Sequence, residues 1–264
     1  MGGSVFRAAA FLAGLLGLRA AEVLEPHHAP TAPLARRWIA NLGLGLVNGL
    51  IVSGLCTACW LLAAQGRLPA AFAPLPRLSS SVWVQIVVAV VLLDLVTYAL
   101  HRAFHQAPLL WRFHAVHHTD LDLDVSSASR FHTGEVLLSS AVKLGFVTLA
   151  GIPPAGLLVF EVVMLACAQF QHANVRVPAS VESVLWDTLV PPAMHRIHHA
   201  PDRRDTDSNY GTILTLWDRL FGSFNRRAPD ATPAFGIPAM RDPERLGLGR
   251  LALLPFLGSG SPGR

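Results

Sequence analysis

The most informative segment of the chain reads His101-Arg-Ala-Phe-His105-Gln-Ala-Pro-Leu-Leu-Trp-Arg-Phe-His114-Ala-Val-His117-His118. A related run, His195-Arg-Ile-His198-His199, occurs later in the chain. Within each cluster the histidines are mostly three or four positions apart, so a helix would present their imidazoles on one face within a single turn. Eight of the 12 histidines fall into these clusters, which makes them the strongest pattern in the sequence.

The composition indicates an integral membrane protein. Hydrophobic residues make up 52% of the 264 residues and charged residues only 14%, against about 25% in soluble proteins. The mean hydropathy is +0.43. Together with the histidine clusters, this composition predicts an all-α protein with about four transmembrane or re-entrant helices and a helical, histidine-rich cap that binds metal. The net charge of +4 is spread over loops without interleaved aromatic residues, so no nucleic-acid partner is expected.

Apolar runs locate the membrane helices. Residues 38–64 and 82–100 are long enough to cross a hydrocarbon core of roughly 30 Å. Residues 136–150 and 155–170 are shorter and flank the break Gly151-Ile-Pro153-Pro154, which predicts a tilted or re-entrant hairpin. Other segments are expected to be a signal segment or a short membrane or interfacial helix (5–18), a turn-rich loop (65–81), and an interfacial patch or packed tail (246–257).

Glycines and cysteines inside the apolar runs bear on helix packing and on possible disulfide or zinc sites. Gly43, Gly45 and Gly49 in the first long run predict close helix packing. Cys56, Cys59 and Cys167 lie in apolar runs and indicate neither a disulfide framework nor a zinc site.

The arginines predict the orientation of the chain. Arg36 and Arg37 precede the first long span and Arg102 follows the second, whereas the loop between the spans holds only Arg67 and Arg77. Because cytoplasmic loops carry an excess of basic residues, all three histidine clusters are expected on the cytoplasmic side.

The clustered histidines point to metal binding. Neutral imidazole suits iron, zinc, copper and nickel, and one ion takes three to six ligands. Eight clustered histidines, with His132 and His172 also available, exceed the needs of one ion and suit two. The motif His-Glu-x-x-His and paired cysteine ligands are both missing, which argues against a zinc peptidase and against a structural zinc site.

At this point the chain resembles a known family. The spacings His-x3-His, His-x2-His-His and His-x2-His-His are similar to the three boxes of the fatty acid hydroxylase/sterol desaturase superfamily, which are integral membrane non-haem di-iron oxygenases. The resemblance covers residues 85 to 225 and departs at Thr133, where many relatives have Pro. It includes five further signatures: Asp94-Leu-Val-Thr-Tyr98, Arg130-Phe-His132-Thr-Gly-Glu135, Gln171-His172-Ala-Asn174, Asp207-Ser-Asn209-Tyr210-Gly211 and Trp217-Asp218-Arg-Leu-Phe221-Gly222.

The resemblance implies a domain organisation and a ligand set. Residues 1–81 would hold N-terminal membrane helices and a loop, residues 82–225 the catalytic domain, and residues 226–264 a C-terminal tail. Two irons would be bound by His101, His105, His114, His117, His118, His132, His172, His195, His198 and His199. For His132 and His172, two other roles stay open: contact with a ligand from outside the metal shell, or a purely structural role.

Acidic and polar residues would act from outside this ligand set. Asp94, Glu135 and Asp207 are candidates to orient imidazoles by accepting their hydrogen bonds. Asp94 could instead be a helix-end carboxylate that reaches water or Arg102. Asn209 is expected to hold the turn after the third histidine cluster rather than to touch substrate.

The function implied by the resemblance is a membrane-bound, O2-dependent di-iron oxidoreductase. It would hydroxylate, or less readily desaturate, an unactivated C–H bond of a lipid such as a sterol or fatty acyl chain. The sequence shows no nicotinamide or flavin fingerprint, so electrons would come from an external reductase with a ferredoxin or cytochrome-b5-like carrier. An acidic carrier could use the arginines at 203, 204, 226 and 227, although a solvated loop is the more expected role for them.

Two other classes remain to be compared with an oxygenase. A metal carrier would distribute polar residues along several spans, but only Asp94, Lys143 and Glu161 interrupt the apolar segments. A haem-binding protein with facing histidines would leave most of the clustered histidines without a role.

Replacement of His117 or His198 by Ala is predicted to abolish metal loading and activity while membrane insertion stays intact, because each side chain would be a ligand. The measurement is metal content per chain, and enzyme activity, of protein purified from membranes. Full activity in either variant would contradict the ligand assignment.

Overall fold

The structure of the protein is a computed structural model that describes residues 2–64, 74–227 and 234–257. The side chains of residues 56–64, which include Cys56 and Cys59, and of Arg77 are not described. Most of the predicted loop 65–81, with Arg67, lies outside the described residues.

The described residues form helices joined by loops, with no β-strand among them. Short 3₁₀ turns cover Val125–Ser129, Pro243–Arg245 and Leu254–Phe256. The α-helices are α1 (Gly2–Leu24), α2 (Leu34–Ala64), α3 (Pro74–Leu78), α4 (Val82–Gln106), α5 (Pro108–His118), α6 (Thr133–Ala150), α7 (Pro154–His172), α8 (Ala179–Thr188), α9 (Pro192–His198), α10 (Arg203–Thr206), α11 (Leu216–Leu220) and α12 (Leu248–Leu253).

Within the described ranges, five helices are long and apolar enough to cross a membrane: α1, α2, α4, α6 and α7. This confirms the prediction of an all-α, multi-pass membrane protein. The number is five where the sequence predicted about four, because α1 is longer than the segment 5–18. Arg19 does not end α1, since it pairs with Glu22 one turn later at 3.2 Å and so stays within the helix.

The predicted hairpin is present as α6 and α7. Gly151 has φ of 71° in the left-handed region and caps α6, and α7 begins at Pro154. With 18 and 19 residues, the two helices are each about 27 Å long or slightly more, so both are long enough to span. The sequence placed the break correctly but made both helices too short.

Close helix contacts form where glycines allow them. A Cβ on Gly45 would lie 2.8 Å from the Ser129 Cβ, and one on Gly43 would lie 2.9 Å from Leu248. Both glycines therefore serve packing, as predicted. Gly49 has no described atom within 4 Å of such a Cβ, so the packing prediction is wrong there.

The C-terminal segment packs onto the helices that carry the histidines. Leu251 and Leu254 are buried in a cluster with Ala40, Leu44 and Val116. Val116 belongs to α5, between His114 and His117. The segment 246–257 is therefore a packed tail, one of the two alternatives that the sequence allowed.

A buried ionic network joins the start of α2 to the loop that follows His118. Arg37 donates from Nε to the Asp120 carboxylate at 2.5 Å and from Nη1 to Asp124 at 2.6 Å. Asn41 also donates to Asp120, at 3.0 Å, and accepts from Arg130 at 2.9 Å. All five side chains are buried, so the network ties the first long span to the base of the histidine-bearing helix α5.

Arg37→Met is predicted to destabilise the fold by about 3–5 kcal/mol, because Asp120 and Asp124 would stay buried without their cation. The thermal midpoint of the detergent-purified protein measures the effect. Arg36→Met is the matched control, since its partner Glu244 is exposed, and it should leave the midpoint unchanged. Equal midpoints for the two variants would show that the network adds no stability.

Candidate metal centre

Nine of the ten histidines predicted as ligands converge, in the part of the chain that the structure describes, into two groups. In each group one ring nitrogen per residue lies within 4.8 Å of all the others. The five-histidine group comprises His101, His105, His114, His118 and His198; the four-histidine group comprises His117, His172, His195 and His199. All are buried except His101, which is half-buried.

Helix periodicity explains how the groups lie side by side. His114 and His118 are one turn apart on α5 and face the five-histidine group, while His117 is offset and faces the four-histidine group. Helix α9 divides its side chains in the same way, with His198 in one group and His195 in the other. Each of these two helices thus contributes to both groups. A cluster of histidines in the sequence therefore does not correspond to one group in the structure.

Helix ends supply the remaining members. His101 and His105 occupy the last turns of α4, which runs to Gln106 and not, as the apolar pattern suggested, to residue 100. His172 ends α7, where its Nδ1 lies 2.7 Å from the Ala168 carbonyl oxygen of the preceding turn.

His132 lies outside both groups. Its Nδ1 accepts a hydrogen bond from the Gly134 amide at 2.9 Å, and its Nε2 lies 3.0 Å from the Ala252 carbonyl oxygen. Both ring nitrogens are thus used by backbone groups. The structure gives His132 the structural role that the sequence left open, as the N-cap of α6 and a contact to the tail.

Hydrogen bonds at Nδ1 determine which nitrogen of several rings carries the proton. His101 Nδ1 lies 2.8 Å from the Tyr210 carbonyl oxygen, and His198 Nδ1 lies 2.7 Å from that of Ser208. A carbonyl oxygen can only accept, so Nδ1 is protonated and the neutral ring keeps its lone pair on Nε2. His172, facing Ala168, has the same form.

These lone pairs face one another. His101 Nε2 lies 3.1 Å from His114 Nε2, and His114 Nδ1 donates to the Glu135 carboxylate at 2.8 Å. When both rings are neutral, the two Nε2 atoms have no proton to share, and their approach is repulsive unless a cation lies between the rings. His198 Nε2 is also buried and has no hydrogen-bond partner among the described residues.

The nitrogen separations fit a metal ion. In the four-histidine group, His172 Nε2 lies 3.1 Å from His117 Nε2 and 3.0 Å from His195 Nε2. Two nitrogens bonded to one ion at about 2.1 Å are about 3.0 Å apart at a right angle and about 3.4 Å apart in a tetrahedron. The observed spacing matches right-angle coordination better than the tetrahedral geometry of structural zinc. The residues present therefore fit a pair of imidazole-binding ions such as iron.

Burial keeps the imidazoles in their metal-binding form. It lowers the pKa of His117, His118, His195 and His199 well below the usual value, and the neighbouring imidazoles lower it further. Burial lowers the pKa of His198 to about 3. Neutral rings, with a free lone pair, therefore prevail at physiological pH.

The predicted acidic partners take different positions. Glu135 contacts His114 directly, and Asp207 Oδ1 lies 3.5 Å from His105 Nδ1. Asp94 contacts no imidazole in the described structure, so the prediction that it orients a ligand is wrong, as is the alternative of water or Arg102. The Asp94 carboxylate instead accepts from the amides of Ile213 and Leu214 and from Trp217 Nε1, at 3.0, 3.1 and 2.7 Å.

Asn209 holds the turn that contains the carbonyl groups of Ser208 and Tyr210, which face two of the imidazoles. Its φ of 56° is left-handed, and its side chain donates to the Asn225 carbonyl oxygen and accepts from the Asn225 amide, both at 2.8 Å. The turn brings the carbonyl oxygens of Ser208 and Tyr210 to His198 and His101. Sequence reasoning missed these backbone acceptors, because a carbonyl group leaves no residue-type signal.

A cavity of about 90 Å³ reaches both histidine groups. His105 and His118 of the first group and His199 of the second line it. The other lining residues include Trp111, Arg203, Asp207 and the tail residues 236–238. The cavity therefore offers a place where a small part of another molecule can approach both groups.

Comparison with known proteins gives a consistent assignment. The family model described as Fatty acid hydroxylase matches residues 86–223, just over half of the chain. Ornithine lipid hydroxylase OlsE of Rhizobium tropici is 31% identical over 153 residues, which cover 58% of this chain and 45% of that protein. Cholesterol 25-hydroxylase of Rattus norvegicus is 26% identical over 206 residues, covering 76% and 65%.

A third relative is the alkylglycerol monooxygenase of Caenorhabditis elegans, 26% identical over 147 residues that cover 54% of this chain and 28% of that protein. The chain thus spans less than half the length of the bacterial and nematode relatives that it matches. No solved structure matches it significantly.

Glu135→Gln is predicted to weaken metal binding by the five-histidine group about 10- to 100-fold, because His114 would lose the carboxylate that holds its Nδ1 proton. Chelator competition on the purified protein measures this, with one of two ions lost early. The exposed Glu244→Gln serves as the control and should bind like the unaltered protein. Unchanged affinity in Glu135→Gln would show that this contact does not tune a ligand.

Proposed function

The chain belongs to the fatty acid hydroxylase family, and from this premise we propose that it is a membrane-bound, O2-dependent oxidoreductase that hydroxylates an unactivated C–H bond of a lipid. The observation that carries the proposal is the pair of buried imidazole groups, in which His101 and His114 direct lone pairs at each other from 3.1 Å. Between two neutral rings, that arrangement is unfavourable without a bound cation.

The proposed cofactor is a pair of iron ions, one in each histidine group. When bound, the iron pair supplies the activation of O2 that oxidation of such a C–H bond requires, with one oxygen atom entering the substrate and the other leaving as water after uptake of two electrons and two protons. The octahedral-like spacing of the ring nitrogens and the all-imidazole donor set support iron over structural zinc.

The protein residues would orient the ligands and exclude water. Glu135 and the carbonyl groups of Ala168, Ser208 and Tyr210 hold Nδ1 protons, which keeps each Nε2 lone pair directed into its group. Because all of the rings except that of His101 are buried, bulk water has little access to these positions.

The substrate is proposed to be a lipid that places one carbon in the cavity beside both groups. The cavity reaches His105, His118 and His199, and Trp111 provides an apolar wall whose ring centroid lies 5.0 Å from that of His105. Five apolar helices embed the protein where lipids are available. The relatives are named as hydroxylases or monooxygenases, which favours hydroxylation over desaturation.

The electrons are proposed to come from an external carrier on the cytoplasmic side. A basic patch for an acidic carrier finds limited support, because Arg203 pairs with Asp207 and Arg227 with Asp205, each at 2.9 Å. These ion pairs favour the alternative of a solvated loop. The binding face of the carrier is therefore not assigned to these arginines.

A haem-binding function is the main alternative, and the distances count against it. Haem ligands on opposite faces of a porphyrin must leave room for the macrocycle. The facing Nε2 atoms are only 3.0 to 3.2 Å apart in both groups, which leaves none.

The decisive experiment measures metal and oxygen transfer in the same preparation. Protein purified anaerobically from iron-sufficient membranes should contain about two irons per chain, and membranes supplied with ¹⁸O2 and reductant should accumulate a lipid with one labelled hydroxyl group. His117→Ala should lose both. One haem iron, or labelled water without labelled lipid, would contradict the proposal.

Ile237→Trp is predicted to abolish lipid hydroxylation while metal content stays unchanged, because the indole would fill the cavity without touching the ligand hydrogen bonds. Val184→Trp, an exposed site on α8, is the matched control and should retain activity. Retained activity in Ile237→Trp would show that substrate does not enter this cavity.

A further inference from the structure

Asp218 is a buried carboxylate that contacts no imidazole in the described structure, yet it holds a peptide group that does. Its side chain is 0% exposed. We propose that Asp218 is a positioning residue for the five-histidine group, acting on His101 through the peptide between Tyr210 and Gly211. The inference rests on the proposed metal site and adds a residue to it.

The contacts form a continuous chain. Asp218 Oδ2 accepts a hydrogen bond from the Gly211 amide at 2.8 Å, and the carbonyl oxygen of the same peptide, that of Tyr210, accepts from His101 Nδ1 at 2.8 Å. The N–H and C=O groups of a trans peptide point in opposite directions, so one peptide can join the two side chains. The carboxylate thereby makes the carbonyl oxygen a stronger acceptor.

The link from His101 to Asp218 resembles the direct histidine–carboxylate contact that is common at metal sites. Metal-binding histidines commonly donate their second N–H to a carboxylate, which raises their basicity and fixes the ring. His114 has that contact directly, with Glu135. His101, whose Nε2 faces that of His114, would receive the same influence from Asp218 through one peptide. Both rings that approach to 3.1 Å are thus linked to a carboxylate.

The surroundings hold Asp218 in place. Its Oδ1 accepts from the Tyr210 amide at 2.8 Å and from Ser223 Oγ at 2.7 Å. A Cβ on Gly211 would lie 2.8 Å from Asp218 Oδ2, so the carboxylate can approach this peptide only because residue 211 is glycine. The carboxylate is therefore directed at this one turn by both of its oxygens.

The test is metal affinity of each group in Asp218→Asn. An amide in place of the carboxylate puts an NH2 group against a backbone N–H donor, which should loosen the Tyr210–Gly211 peptide. We expect one of two irons to bind about 10- to 100-fold more weakly in chelator competition, and one of two ⁵⁷Fe Mössbauer components to be lost, while the other is unchanged. Asp187→Asn, an exposed carboxylate paired with Arg219, is the control and should bind both irons normally.

A double-mutant comparison separates positioning from general damage. In a His101→Gln background, an amide oxygen can replace the imidazole as a weaker ligand and no ring N–H faces the Tyr210 carbonyl oxygen. Asp218→Asn should then weaken iron binding no further, because the ring through which it acts is gone. If Asp218→Asn does not accumulate in membranes, Asp218→Ser gives the same test, since the smaller hydroxyl group removes the carboxylate from the Gly211 amide without adding a clash.

The outcomes distinguish this inference from the function on which it depends. Equal weakening of both irons, full additivity with His101→Gln, or unchanged affinity would overturn the role of Asp218. Unaltered protein that binds no iron would instead overturn the proposed function.

Discussion

The approach of buried imidazole lone pairs to about 3 Å of each other is the constraint on which this structure depends. His101 and His114 meet in this way because each has its Nδ1 proton held elsewhere, by the Tyr210 carbonyl group and by Glu135. The rest of the chain can be understood as the scaffold that holds the rings in this unfavourable arrangement, which a bound cation would stabilise.

Three parts of the scaffold contribute to that task. Helices α5 and α9 each direct side chains into both groups, so the separation of the groups follows from helix geometry. The buried network of Arg37 and Asp120 fixes the base of α5 against the first long span. The turn around Asn209, held by Asp94, Asp218 and Asn225, supplies carbonyl acceptors to the rings. Polar residues here stabilise through directed hydrogen bonds that an apolar core could not provide.

Asp94 and His132 are the two predicted site residues that do not take their expected positions. Asp94 lies on the same helical face as His101, which suggested a shared contact, but the loop that contains Ile213 and Leu214 occupies that space. His132 lies inside the signature Arg130-Phe-His132-Thr-Gly-Glu135, which suggested a metal ligand. Both of its ring nitrogens nevertheless bind backbone groups. Segments distant in sequence contact Asp94 and Nε2 of His132, and no local pattern reports where such a segment lies; only the Gly134 contact of His132 is local.

The sequence by itself determined the membrane class, the break at Gly151 and the histidine spacings, because hydropathy, turn preference and helix periodicity are local properties. Only the tertiary structure decided how the histidines divide into two groups, since His114 and His117 belong to different groups although one helix carries both. It also decided which carbonyl groups accept hydrogen bonds from the imidazoles, and which carboxylates contact those imidazoles or the peptides that carry the carbonyl groups. Those are long-range contacts, and they depend on the packing of helices that are far apart along the chain.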